Sequence, residues 1–228
     1  MPLPLAPLTQ AGCLVNHGET VFIDLTRSDE EHWRDTQRHL RRDINRSRRE
    51  GHVARIDEGW DRFDEFVDIY QTTMQRLDAT DFYFFSHDHF RRLREALGNR
   101  LHLCVVEIEG HVACAGIVTE SRGIVECHLS GTRAEFLRHS PSKLRIDFLR
   151  RWAKERGNRL LHLGGGLGGR ADGLFAFKSG FSKDRAAFAT WRLITDDVVY
   201  QALTARWEAD HGVPADEAGG FFPLYRKP

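Results

Sequence analysis

The feature that most constrains this chain is a change of hydrophobic period near Leu101. Upstream, apolar residues recur at helical spacing: Trp60, Phe63, Val67, Tyr70 and Met74 share one face, as do Phe90, Leu93 and Leu97. From Leu101 the pattern alternates. It predicts three strands, Leu101–Glu109, His111–Glu120 and Gly123–Ser130, joined by tight turns at Glu109-Gly110 and Ser121-Arg122-Gly123. Ser140-Pro141 then opens a helix that runs to Arg156, with Pro at its first position and Gly157 as its stop. A strand at Leu160–Leu163, a glycine loop, a helix to about Gly180 and a strand at Ala186–Ile194 follow. The order β-β-β-α-β-α-β predicts an α/β (α+β) fold with a mixed, mostly antiparallel sheet flanked by helices.

The N-terminal part reads as an extension. Residues 1–20 look irregular, and Val21–Leu25 reads as a short strand left exposed, a feature that hints at a homodimer or a missing partner. Ser28 with Glu31 forms a capping box for a helix over Asp29–Glu50, ended by Gly51, and His52–Asp57 is extended. Asp196–His211 is a terminal amphipathic helix. The expected organisation is a lead-in with a basic helix over 1–57, a catalytic-type domain over 58–211, and a loosely ordered tail over 212–228.

The 33 basic and 33 acidic residues cancel, so no global field draws the chain to nucleic acid or to a charged membrane surface. The longest apolar runs are too short to span a bilayer, and the proline-broken N-terminus lacks the basic start of a signal peptide. Cys13, Cys104, Cys114 and Cys127 are scattered without metal-ligand or disulfide-framework spacing. These features point to a cytoplasmic protein with free thiols, no structural metal and no required cofactor.

Chemistry concentrates at His162-Leu163-Gly164-Gly165-Gly166-Leu167-Gly168-Gly169 and at Phe175-Ala176-Phe177-Lys178-Ser179-Gly180-Phe181. A strand that runs into a glycine loop and then a helix start brings bare backbone and one cation together. Gly164, Gly165 and Gly166 would offer backbone donors to a phosphate or carbonyl. Lys178, between Phe177 and Phe181, is the candidate catalytic residue, suited to hold a tetrahedral oxyanion. The plainer readings are a tight connection without ligand and an ordinary solvated lysine.

The run Leu-Gly-Gly-Gly…Leu-Phe-Ala-Phe-Lys-Ser-Gly-Phe-Ser resembles the FemABX peptidyltransferases, a branch of the GNAT-fold N-acyltransferase superfamily with two GNAT-like lobes. Residues 23–51 resemble the helix that bridges those lobes, and residues 70–90 resemble the opening of the second lobe. The resemblance covers about residues 20 to 195. It implies transfer of an aminoacyl or acyl group to an amine, from aminoacyl-tRNA in well-known members, by a chain that holds the bridging helix and second lobe alone. It also implies a functional role for Lys178, phosphate or sugar contacts from Arg76 and Tyr83, and a binding role for His128 on the last meander strand. The plainer alternatives are a helix C-terminal arginine for Arg76 and a satisfied strand histidine for His128.

Acyl-CoA enzymes of the superfamily carry a glycine-rich pyrophosphate loop where this chain reads Gly131 to Pro141, without the second and third glycines. Aminoacyl-tRNA is therefore the favoured donor. An acyl-CoA-dependent N-acetyltransferase is the runner-up, and an inactive binding module lacking the first lobe is the third reading. Arg34, Arg38, Arg42, Arg46 and Arg49 recur at three- and four-residue steps and form a stripe suited to tRNA phosphates, or simply a solvated face. The expected acceptor is an amine-bearing small molecule or peptide. No strong general base stands out; an α-amine with pKa near ~8 is partly neutral already.

Overall fold

The computed structural model describes residues 6–215 and 221–227. It divides into two compact units, Gly18–Ala186 and the pair of segments 1–17 and 187–228.

The larger unit holds the expected sheet except for residues Cys13–His17 and Ala187–Arg192 of two of its strands, which fall in the smaller unit. Strands run β1 (Cys13–Asp24), β2 (Val53–Ile56), β3 (Leu101–Ile108), β4 (His111–Ser121), β5 (Ile124–Thr132), β6 (Leu160–Gly164) and β7 (Arg185–Arg192), in the spatial order β2-β3-β4-β5-β6-β1-β7. The β2–β3, β3–β4, β4–β5 and β6–β1 pairs are antiparallel and β5–β6 is parallel. Helices flank this sheet: α2 (Asp29–Asp35), α3 (Arg38–Arg49), α4 (Phe63–Arg76), α5 (His87–Leu97), α6 (Pro141–Glu155) and α7 (Gly173–Ser179). Strand alternation sends Cys104, Val106, Cys114 and Val118 to one face, where they meet Leu144 and Leu149 of α6 and Leu40 and Ile44 of α3. It sends Leu103, Val105, Ala115 and Ile117 to the other, under Phe66, Val67 and Tyr70 of α4 and Phe90 of α5.

Several expectations are corrected. The lead-in, as far as it lies among the described residues, is not irregular: α1 (Ala6–Ala11) is followed by a strand that starts at Cys13, while residues 1–5 lie outside the described residues. That strand is not an exposed edge either. β1 lies between β6 and β7, with Val21, Ile23 and Leu25 buried, which removes the reason for expecting a dimer or lost partner there. The helix expected over Asp29–Glu50 is two helices. Its capping box is present, but Thr36 turns extended and its hydroxyl donates to His32 O (2.8 Å). Gln37 N–H then donates to Gly180 O at 2.8 Å instead of back along a helix. A tertiary acceptor outcompeted helix propagation there. The α4 helix begins at Phe63, three residues later than its apolar pattern, because Trp60 sits at φ +61°.

Ionic anchoring is concentrated where Glu120 accepts from Arg156 Nη2 (2.8 Å), Asn158 Nδ2 (2.6 Å) and His102 Nε2 (3.0 Å). Burial pushes the Glu120 carboxyl up, but the hydrogen bonds and the positive charge of Arg156 outweigh it and hold it below the usual value. A folded-state pKa below the unfolded one adds stability that is present above the unfolded value and lost as pH falls through the folded one. Denaturant midpoints across pH check this: the advantage of the native protein over Glu120→Gln is expected to be full at neutral pH and to shrink below about pH 4.

In the smaller unit, α8 (Asp197–His211) carries Trp207, which stacks on His211 at 4.2 Å and donates through Nε1 to Lys227 O (2.9 Å). Leu224 N–H donates to the Tyr200 hydroxyl (3.1 Å). The described part of the tail is therefore packed on α8, not loose. The rest of the tail falls outside the described residues.

Candidate active site

The site begins where two strands separate. β5 and β6 pair in parallel only from Ile124↔Leu160 to Glu126↔His162, although β5 runs on to Thr132 and β6 to Gly164. At the same level β4–β5 pairing slips: Ile117 faces Leu129 and Val118 faces Cys127, so His128 has no ladder partner. A bulge of this kind bends its strand and re-aims side chains.

The glycine loop follows the open end of β6. Gly164 has φ +82°, which turns the chain, and a Cβ there would lie 3.1 Å from Lys178 Nζ. Asp172 caps α7 by accepting from Phe175 N (2.9 Å) and also takes Leu167 N–H (2.8 Å), tying the loop to the helix. Lys178 is half-buried, and its Nζ donates to Gly165 O at 2.7 Å. Burial pushes its ammonium below the ordinary lysine value, with the Asp172 carboxylate opposing the shift. The loop thus grips the lysine through a carbonyl. The Leu167, Gly169 and Arg170 N–H groups are spent inside the loop, on Asp172, Gly166 O and Leu167 O, so the loop offers fewer donors than its glycine content implied.

A Cβ at Gly166 would overlap the Arg170 carbonyl oxygen and the Asp172 carboxylate. Gly166→Ala must therefore deform the loop that holds Lys178. Overpacking of this kind costs about 1–3 kcal/mol. The expected outcome is a melting temperature lower by roughly 2–10 °C and a larger loss of turnover than of stability. Calorimetric melting beside a rate assay checks it.

Beside the opening, sequence reasoning missed a polar group. His162 Nδ1 lies 3.4 Å from Glu126 Oε1, a cross-strand pair at the last rung of β5–β6. The hydrogen bond and charge of His162 hold the Glu126 carboxyl below its usual value despite partial burial. Desolvation pushes His128 down, with Glu126 opposing and His89 adding to the shift. Only the parallel register brings these residues, 36 apart in sequence in the case of Glu126 and His162, into contact.

Arg145 was missed as well. It is 4 % exposed, its Nε and Nη1 have no hydrogen-bond partner, and Gly116 leaves room for it: a Cβ there would stand 2.9 Å from Nη1. In sequence it looks like any other helix arginine. Its buried charge acts on Lys178 and Cys127 through the field, not by contact with solvent-borne ligands.

The other expected residues are placed differently. Arg76 is exposed and braces the end of β5, donating through Nη1 to Thr132 O (3.0 Å). Tyr83 is half-buried, its carbonyl accepts from the Tyr70 hydroxyl (2.8 Å), and its ring meets Phe82 edge-on at 5.3 Å. Phe177 packs on the core and on Phe181 (5.4 Å). Arg38, Arg42, Arg46 and Arg49 share α3, whereas Arg34 belongs to α2 and leaves the stripe. Arg42 pairs with Asp43 (3.3 Å) and Arg46 donates to Arg138 O (3.2 Å), while Arg38 and Arg49 have no hydrogen bond or ion pair among the described residues. A cavity of about 860 Å³ lined by Trp60, Phe63, Arg91, Arg94 and His102 lies apart from all the expected site residues.

A family model described as an acetyltransferase (GNAT) domain matches residues 34–179, more than half of the chain. The chain belongs to the GNAT family. The matched range takes in the strand opening, the glycine loop and Lys178. No curated protein sequence matches the chain. Among solved structures the chain is similar to FemX (TM-score 0.70, 13 % identity, 87 % of this chain and 70 % of that one). It is also similar to the C-terminal DUF2156 domain of an Agrobacterium fabrum protein provisionally named a lysylphosphatidylglycerol synthetase (TM-score 0.62, 16 % identity, 82 % and 64 %). A third similar structure is L-PGS from Bacillus licheniformis (TM-score 0.55, 18 % identity, 87 % and 67 %). At these identities the likeness is one of fold. The chain spans between 64 % and 70 % of the lengths of these three structures. No helix among the described residues is long and apolar enough to cross a membrane.

Proposed function

We propose that this GNAT domain is a Fem-like transferase that moves an aminoacyl group from an ester donor, of the aminoacyl-tRNA type, to an amino group. The observation that carries the reading is the half-buried Lys178 ammonium, fixed on Gly165 O at the open end of β6. Attack of an amine on an ester carbonyl forms a C–N bond and a tetrahedral oxyanion; collapse expels the ribose alkoxide, which takes up a proton. A cation aimed before the reaction begins stabilises that oxyanion without reorganising. His162, oriented by Glu126, accepts the proton lost by the amine. Lys178 and the His162–Glu126 pair thus divide the work between charge and proton.

The donor assignment rests on the segment ahead of α6. It folds as a 3-10 helix, Ala134–His139, entered from Arg133. Arg133 is held by Val112 O (3.0 Å), by Asp68 (3.3 Å) and by Glu65 (3.6 Å). With Pro141 lacking an N–H, this turn is poorly equipped to wrap a pyrophosphate, which favours an aminoacyl ester over acyl-CoA. A cytoplasmic site of action suits a tRNA donor. The test is purified protein supplied side by side with radiolabelled aminoacyl-tRNA and acetyl-CoA, with amines and peptides as acceptors. Transfer from acetyl-CoA alone overturns the donor assignment.

The α3 stripe extends the reading. Arg38, Arg42 and Arg49 are the exposed guanidinium groups, since Arg46 is spent on Arg138 O. Filter binding of tRNA across a salt series is expected to give a log–log slope of roughly −2 to −3, reduced by about 1 in Arg38→Ala. A slope unchanged by that substitution removes Arg38 from the RNA surface.

A further inference from the structure

We infer that Glu50, His52 and His139 form a binding site for one zinc-class divalent cation. The site is distinct from the transfer site and braces the end of α3 against the turn ahead of α6. Glu50 Oε2 lies 3.3 Å from His52 Nε2 and 3.7 Å from His139 Nδ1, and the three ligand atoms all fall within 4.8 Å of one another. Zinc bonds of about 2.0–2.2 Å in a tetrahedron put neighbouring ligand atoms roughly 3.3 Å apart. The observed separations approach that spacing, so side-chain shifts on the order of 1 Å close the shell. Two imidazoles and one carboxylate are a zinc-type donor set, and the fourth position is left for water.

The backbone prepares the arrangement from both sides. Glu50 caps α3, and Gly51 at φ +75° turns the chain so that His52 N–H reaches Ser47 O (3.0 Å) and its ring lies beside Glu50. His139 ends its 3-10 turn next to Ser140, a non-glycine residue at φ +53°. The His52 side chain is 4 % exposed.

The surroundings set the expected strength. Arg46 Nε stands 3.9 Å from Glu50 Oε1, and Arg138 Nε donates to His139 Nε2 at 3.1 Å. Ligation through Nδ1 moves the His139 proton to Nε2, so the exposed Arg138 must turn away. Both guanidinium groups repel a cation, which predicts modest rather than tight affinity. His52 Nδ1 has no partner, whether Nε2 donates to Glu50 or binds an ion, so that atom does not choose between the two. Glu50 and His139 come from segments 89 residues apart, which is why no ligand spacing is visible in the sequence.

The test uses tag-free, chelator-treated full chain, Zn²⁺ by titration calorimetry and Co²⁺ by visible spectroscopy. Expected are one ion per chain, tetrahedral ligand-field bands without thiolate charge transfer, and affinity weakened at least tenfold in His139→Ala and in Glu50→Gln. At a hundredfold excess over Kd, Zn²⁺ is expected to raise the melting temperature by about 5–10 °C. Lack of saturable binding, equal binding by both variants, or a thiolate band that places the ion on cysteine overturns the site. Should either variant fail to fold, the cobalt spectrum of the unmodified protein decides.

Discussion

Lys178→Ala is expected to slow aminoacyl transfer by about 10²–10³-fold, the usual loss when one oxyanion donor is removed, with the melting temperature little changed. The side chain gives up one hydrogen bond, to Gly165 O at 2.7 Å, and the alanine leaves a backbone carbonyl that water can reach. Donor binding measured separately should change far less than turnover, because in the proposed role the ammonium acts on charge that exists only in the transition state. The same geometry sets a pH limit. The oxyanion role needs the ammonium form, and burial pushes its pKa down. Turnover is therefore expected to fall on the alkaline side earlier than an exposed lysine would allow. Lys178→Arg keeps the charge and removes that alkaline limb, although the larger guanidinium fits the loop less well. Near-native turnover in the alanine variant would take Lys178 out of the chemistry.

His162→Ala is the second large effect, with a loss of roughly 10²–10⁴-fold in kcat/KM. Glu126→Gln should cost less, since it leaves the imidazole in place and removes only the carboxylate 3.4 Å away. A positioning role for Glu126 is separable from a structural one by comparing kcat/KM with the melting temperature: the glutamine variant should lose turnover while its melting temperature stays near native. A merely structural Glu126 would lower both together. An amine already neutral would mask the loss, so the comparison is sharpest below the acceptor's own pKa.

Much of the larger unit was legible because its signals are local. The Glu109-Gly110 and Arg122-Gly123 turns, the Ser28–Glu31 box and the Gly157 stop are chemistry within a few residues of where it acts. The strand alternation of β3 and β4 is set by the pleat and the two apolar layers it must meet. Where the reading failed, a distant partner had intervened. Gly180 O breaks the Asp29–Glu50 helix. β6 and β7 enclose β1. The Trp207 indole and the Tyr200 hydroxyl hold the tail.

The candidate site divides along the same line. By itself the sequence determined that a strand runs into a glycine loop and then a helix bearing one lysine, because strand period, glycine freedom and helix spacing are properties of neighbouring residues. Only the tertiary structure decided that this lysine rests on Gly165 O, that His128 stands in a bulge, and that Glu126 meets His162. The first depends on how the loop folds α7 back onto the end of β6, the second on the slipped register of the β4–β5 hairpin, and the third on the parallel register of β5 and β6. A shift of one residue in β5 would send the Glu126 and His128 side chains to the opposite face of the sheet.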